Sequence, residues 1–176
     1  MRLKSALSLT LIASMSFLSS SAFGLDLPST SRLASSHGAW SVYCDKPAGA
    51  STEQCVLLQY VIDDSQPDLG MAITVLKTAD RKARFLRIQV PLGVLLPKGL
   101  DLFIDQNRIG TMYYLRCLSD GCYAQVVLTD DMMKVIRAGK EMQLGVYKTD
   151  DPSADETGIA VPVDLTGFAA GYDALP

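Results

Sequence analysis

Apolar and polar positions alternate in short bursts along most of the chain. In FLRIQV, Leu86, Ile88 and Val90 alternate with Arg87 and Gln89, the period of two expected of a strand with one covered face. Similar bursts, bounded by turn residues, predict strands over 40–44, 55–62, 71–78, 85–90, 100–104, 111–117, 122–128, 142–148 and 159–164. Nine short strands at close intervals predict an all-β domain. The spacing suits a sandwich or a barrel, and periodicity does not choose between them. Trp40 stands four residues before Cys44 and is the single Trp, so an antibody-type Cys-Trp-Cys core is not present.

Two stretches carry a helical period instead. In TDDMMKVIRAGK, Thr129 reads as an N-cap, Asp130 and Asp131 fill the first turn, and Lys134 and Arg137 lie toward the end before the Gly139 stop. Met132, Val135 and Ile136 form its apolar stripe. Near the C-terminus, LTGFAAGYDAL predicts a short helix capped by Thr166, with Phe168 and Tyr172 one turn apart on one face. Phe168 is expected to plug one end of the β-structure.

Ahead of the strands, Arg2 and Lys4 precede an apolar run over 6–18 and then the small residues of SSSAFG, the three-part pattern of a secretory signal peptide. The run is shorter than the ~20 residues a spanning helix needs, and nothing later approaches that length. Residues 1–24 are read as a signal peptide cut after Ala22 or Gly24, 25–38 as a flexible lead-in rich in Ser, Thr and Pro, and 39–176 as one domain. His37, at the end of the lead-in, is expected to be solvent-exposed. No Cys stands at the cut, so the lipid attachment of a lipoprotein is excluded. The mature chain is expected in the periplasm, at the outer membrane or outside the cell, with no transmembrane segment.

Composition narrows the partners. The chain has 16 Lys+Arg against 19 Asp+Glu, and signal cleavage removes two positive charges and no negative one, which takes the net charge from −3 to −5. Such a chain does not bind nucleic acid by neutralising phosphates. One His excludes a His-rich metal site.

Export also fixes the meaning of the four Cys, which in an oxidising compartment are expected as disulfides. Three pairings exist. Cys117 and Cys122 flank the turn signal Ser-Asp-Gly, so a hairpin sets them side by side at cross-strand Cα separations of ~4.5–5.5 Å, inside the disulfide range. Cys44 and Cys55 bracket the polar DKPAGASTEQ segment in the same way. The favoured pairing is Cys44 with Cys55 and Cys117 with Cys122, with the crossed arrangements as alternatives. A catalytic redox pair is disfavoured, since C-x4-C lacks the two-residue spacing and helix N-terminus that depress a thiol pKa.

Candidate chemistry is sparse. The acidic pairs Asp63-Asp64, Asp130-Asp131 and Asp150-Asp151 lack the spacing and glycine of a calcium loop and read as turns or helix starts. Asp101 and Asp105 bracket the LFI strand core, and a spacing of four predicts one shared face. A hydrolase would use them as an acid/base pair, and the plainer reading is strand-end turns. No nucleophile elbow, phosphate loop or dinucleotide fingerprint occurs, and no catalytic, cofactor-binding or metal-ligating residue is expected. The densest basic stretch, KTADRKARFLR, holds Lys77, Arg81, Lys82, Arg84 and Arg87. As a hairpin tip it discourages edge pairing, and Arg81, Lys82 and Arg84 are the candidate contacts for a protein or an anionic envelope component. Of Tyr113 and Tyr114, one is expected to face inward.

Three segments taken together resemble the invasion-associated locus B family of exported alphaproteobacterial proteins: WSVYC with the C-V-L at Cys55, then VPLGVLLPKGLDLFID over 90–105, then YLRCLSDGCYAQVVL followed by VPVDLTGF. The resemblance spans about 40–175. It implies an immunoglobulin-like β-sandwich and an envelope or secreted location. The expected role is an envelope-associated interaction protein that acts by binding, with host-cell association as one setting, and the alternative is a periplasmic accessory or assembly factor. It supplies no catalytic residue. Independently of it, Pro91 reads as a strand end, Gly93 and Gly99 as sites of positive φ and Pro97 as a turn, so PLGVLLPKG is a structural corner.

Overall fold

The structure, a computed structural model, describes residues 30–63, 66–149 and 158–176. The expected signal peptide, the start of the lead-in, Asp64 and the Asp150-Asp151 pair lie outside the described residues. In chain order the strands are β1 (Arg32–His37), β2 (Trp40–Asp45), β3 (Gln54–Asp63), β4 (Gln66–Lys77), β5 (Arg84–Val90), β6 (Leu100–Ile104), β7 (Asn107–Met112), β8 (Tyr114–Leu118), β9 (Gly121–Val127), β10 (Glu141–Val146) and β11 (Ile159–Asp164). Helix α1 (Asp130–Ala138) joins β9 to β10, and α2 (Phe168–Asp173) follows β11.

All pairings are antiparallel, in a seven-stranded sheet ordered β1-β2-β3-β4-β5-β9-β8 and a four-stranded sheet ordered β11-β10-β6-β7. The inner faces supply one core. Val42, Leu57, Ile73, Val75, Leu86 and Ile88 of the large sheet are buried in the same cluster as Leu100, Leu102, Leu144, Val161 and Val163 of the small one. This is the immunoglobulin-like sandwich expected, with eleven described strands in place of nine.

Two strands account for the difference. Residues 32–37, expected in the flexible lead-in, form β1, whose partner residues on β2 include Trp40 opposite His37. The stretch 111–117, expected as one strand, is two: β7 closes the edge of the small sheet, Tyr113 crosses over, and β8 pairs with β9 in the large sheet. Tyr114 turns inward and Tyr113 stays exposed, which divides the pair as the alternation requires. At the 90–99 corner, Pro97 sits in a short 3-10 turn (Leu96–Lys98), and Gly93 and Gly99 have positive φ.

The two helices are neighbours, joined by the ion pair of Arg137 on α1 with Asp173 on α2. Thr129 caps α1 by accepting the Met132 N–H. Of its expected stripe, Ile136 is buried and Met132 packs half-buried against the core, whereas Val135 is exposed and Met133 is buried in its place. In α2 the capping position is Gly167, at φ 90°, and not Thr166, whose carbonyl is taken by the Ala39 N–H. Phe168 is buried as expected, edge-to-face on Trp40 with ring centroids 5.1 Å apart.

Candidate functional site

The hairpin between β4 and β5 is locked by its own polar groups. Thr78 N–H donates to the Ala83 carbonyl, and the Thr78 hydroxyl donates to Asp80 while accepting the Ala83 N–H. Asp80 also accepts the Lys82 N–H, and these donors, the Thr78 hydroxyl foremost, hold its carboxyl below the ordinary range. Arg81 takes a left-handed conformation, φ 56°, that only a fixed turn makes worthwhile for a non-glycine residue. The result is a rigid tip that presents Arg81 and Lys82, both exposed and neither ion-paired among the described residues.

Arg84 is placed differently. Its Nε donates to the Leu128 carbonyl at 2.8 Å and its guanidinium pairs with Asp130, so it ties the start of β5 to the start of α1. Of the three basic candidates, then, Arg81 and Lys82 are available and Arg84 is a brace.

Two further cations of the same basic stretch, not among the three candidate contacts, join the tip. Lys77 donates to the Leu175 carbonyl at 2.8 Å and lies 4.8 Å from the centre of the Tyr172 ring. Partial burial, with Arg81 nearby, lowers its pKa. Arg87 donates through two nitrogens to Gln125 Oε1 on β9. Both hydrogen-bond to neutral acceptors and neither forms an ion pair among the described residues, though Asp173 lies near enough to Lys77 to act on its charge. A groove of about 690 Å³ runs beside the tip, lined by Val56, Leu76, Lys77, Arg81, Arg87 and Leu175 among others. A second, of about 430 Å³, lies on the other side between the tip and Tyr172.

Asp101 and Asp105 do not converge. Asp105 lies past the end of β6 in a two-residue turn with Gln106, both at positive φ, the geometry a tight hairpin favours. Its carboxylate accepts the N–H groups of Glu141 and Lys140, which hold its pKa low. Asp101 belongs to another cluster on the outer face of the small sheet, where it accepts from Thr111, from Tyr147 at 2.8 Å and from Arg108 at 2.8 Å. Burial pushes its pKa up, but these three donors outweigh burial and hold it below the ordinary carboxylate range.

Every oxygen of the pair is thus engaged in holding strands. With its folded-state pKa depressed, Asp101 contributes stability above its unfolded-state pKa and loses it as pH falls through the folded value, below about pH 4. Asp101→Asn is expected to melt lower at neutral pH and to lose less on acidification than the parent. Parallel profiles for the two proteins would show that the cluster does not hold the charge.

Cys44 and Cys55 lie at disulfide bonding distance across β2 and β3, and Cys117 and Cys122 do so across β8 and β9, with Cα separations of 4.0 and 3.9 Å. This is the favoured pairing. Glu53 approaches the first pair, but it is engaged bidentately by Arg32, and bonded sulfurs offer no thiolate to a metal. His37 is half-buried at the end of β1, not solvent-exposed, with Nε2 2.9 Å from the Ser35 hydroxyl. The hairpin with β2 and the packing of α2 beside it withdraw the ring from water.

A two-sheet antiparallel sandwich, stapled by two cross-strand cysteine pairs and carrying a rigid basic tip, defines a class of small disulfide-linked β-sandwich proteins. Within that class the chain belongs to the invasion associated locus B protein family, whose model matches residues 40–176. It is 26% identical over 143 residues to invasion protein B of Bartonella bacilliformis, covering 79% of this chain and 72% of that protein. An invasion protein B homolog of Brucella abortus is 25% identical over 159 residues, 88% of this chain and 86% of the relative. The crystal structure of invasion associated protein b from Bartonella henselae superposes with a TM-score of 0.66 at 23% identity, covering 79% of this chain and 91% of that one, which places the same fold in both. No helix among the described residues is long and apolar enough to cross a membrane.

Proposed function

We propose that this protein is exported and acts in the cell envelope by binding, through the surface around the β4–β5 tip, to a protein or an anionic envelope component. The observation that carries the reading is the tip itself: Arg81 and Lys82 stand exposed on a turn fixed by Thr78 and Asp80, with no carboxylate partner among the described residues. A rigid turn presents charge at little entropic cost on association. Export is supported by the signal-peptide pattern and by two cysteine pairs at bonding distance, which fit an oxidising compartment. The names of the Bartonella and Brucella relatives support a setting in host-cell association, where the same surface would face the host. The separate engagements of Asp101 and Asp105 favour binding over acid/base catalysis.

Affinity capture from an envelope extract, with the mature protein as bait, tests this. Arg81→Glu with Lys82→Glu is expected to abolish capture and to leave the melting temperature nearly unchanged, because exposed charges contribute about 0–1 kcal/mol to folding. Capture should weaken as salt rises. Arg84 is left intact, since its reversal would set two acids together at α1. A partner retained by the double variant and insensitive to salt would remove the tip from the reading.

A further inference from the structure

The register of the large sheet assembles an apolar row that the sequence scatters over some seventy positions. Val56, Leu76, Phe85 and Val127 are successive cross-strand partners on β3, β4, β5 and β9, all on the outer face. Val127 is 51% exposed, and the other three are half-buried. At about 4.8 Å per strand the row is about 14 Å long. It continues through Tyr43 to Leu33, but twist of about 20–25° per strand turns that end away.

Cations stand on both sides of this row. Arg81 and Lys82 lie beyond it at the tip, and Arg87 lies one row back on the same face, opposite Thr74. Lys77 lines the groove between them. None of the four makes an ion pair among the described residues. Of the acids around this end, Glu53 pairs with Arg32, Asp130 with Arg84 and Asp173 with Arg137, while Asp80 accepts only neutral donors within the turn and keeps its charge. A chain of net charge −3 therefore has one corner where, among the described residues, four unpaired cations outnumber the one unpaired acid, Asp80, and flank an apolar strip.

Building on the binding role proposed above, we propose that the occupant of this corner is the surface of an anionic phospholipid bilayer. The strip enters the boundary between headgroups and acyl chains, while Arg81, Lys82, Lys77 and Arg87 face the phosphates. Apolar and cationic bands side by side along an open groove match the polarity profile of a lipid interface more closely than the buried anchor of a protein partner.

The test is cosedimentation of the mature protein with vesicles of phosphatidylglycerol and phosphatidylethanolamine in equal parts, against phosphatidylcholine alone. Binding is expected to the anionic vesicles, to weaken with salt, and to be at least about tenfold weaker on phosphatidylcholine. At about 1 kcal/mol per cation near the surface, Arg81→Glu with Lys82→Glu should weaken binding by about thirtyfold or more. Val127→Ser, at an exposed position, should weaken it severalfold without altering the melt. No binding to anionic vesicles, or equal binding by the double variant, overturns the proposal. Should vesicles fail while capture from a detergent-solubilised extract still depends on Arg81 and Lys82, the lipid falls and the binding role stands; loss of both removes the role as well.

Discussion

Replacing Phe168 with Ala is expected to lower the unfolding free energy by about 3 to 5 kcal/mol and the melting temperature by about 10 °C. The side chain is 1% exposed and packs between two rings, edge-to-face on Trp40 at 5.1 Å and stacked on Tyr172 at 6.3 Å. Trp40 in turn donates its indole N–H to the Asp164 carbonyl at 2.8 Å, which ties β2 of the large sheet to β11 of the small one. Loss of Phe168 therefore leaves a cavity at the point where both sheets and α2 meet, and a β-sandwich has little freedom to collapse into it. Phe168→Leu, which keeps most of the volume, should cost markedly less. Denaturant melts with the disulfides intact read the difference. An unchanged midpoint for Phe168→Ala would show that α2 does not pack on Trp40.

The consequence reaches the proposed binding corner. Tyr172 lies beneath the Lys77 ammonium and 5.8 Å from the Arg137 guanidinium, and Lys77 is held by the Leu175 carbonyl. Helix α2 thus carries one wall of the smaller groove beside the tip, and Leu175, just past its end, lines the larger, so its docking fixes where that positive charge points.

Strands whose faces differ in polarity were legible from sequence. β6 and β11 occupy 100–104 and 159–164 as expected, and β5 shows the alternation of Leu86, Ile88 and Val90 against Arg87 and Gln89. β1 was not legible because RLASSH is an edge strand with hardly a buried side chain, so no apolar period exists to detect. The break at Tyr113 was hidden because the chain changes sheets within an extended run, with neither Gly nor Pro to mark it. In α1, Met133 takes the inward place expected of Val135 because the roll of a helix on a sheet is set by the partner surface: Gly139 lies against Ile104 and Leu165, which draws Met133 inward and leaves Val135 out.

The candidate site divides along the same line. A run of five basic residues between two strand patterns marks a charged hairpin tip, and the tip is there. Sequence could not show that Asp130 would occupy Arg84, since they meet only through the pairing of β5 with β9. Nor could it show the apolar row, whose members become neighbours only once register is set across four strands. Asp101 and Asp105 were placed on one face by counting four along a strand, but β6 ends at Ile104 and the hairpin turn carries Asp105 away.

Gly167→Ala is expected to cost more than about 3 kcal/mol, through two effects that a second variant separates. Gly167 has φ 90°, where a Cβ is disfavoured by about 1–2 kcal/mol, and an added Cβ would stand 1.9 Å from the His37 carbonyl oxygen and 2.4 Å from its carbon. That oxygen belongs to the turn joining β1 to β2, which cannot yield freely because the Ala39 N–H is bonded to the Thr166 carbonyl beside Gly167. The two turns interlock at the end of the sandwich, directly before the helix that carries Phe168. Gly49 supplies the comparison: its φ is 82°, and an added Cβ there meets nothing within 4 Å. Gly49→Ala should then show the backbone strain alone, about 1–2 kcal/mol, and the excess for Gly167→Ala measures the interlock. Equal losses in urea melts of the two variants would mean that the turns do not touch and that α2 is positioned by Phe168 alone.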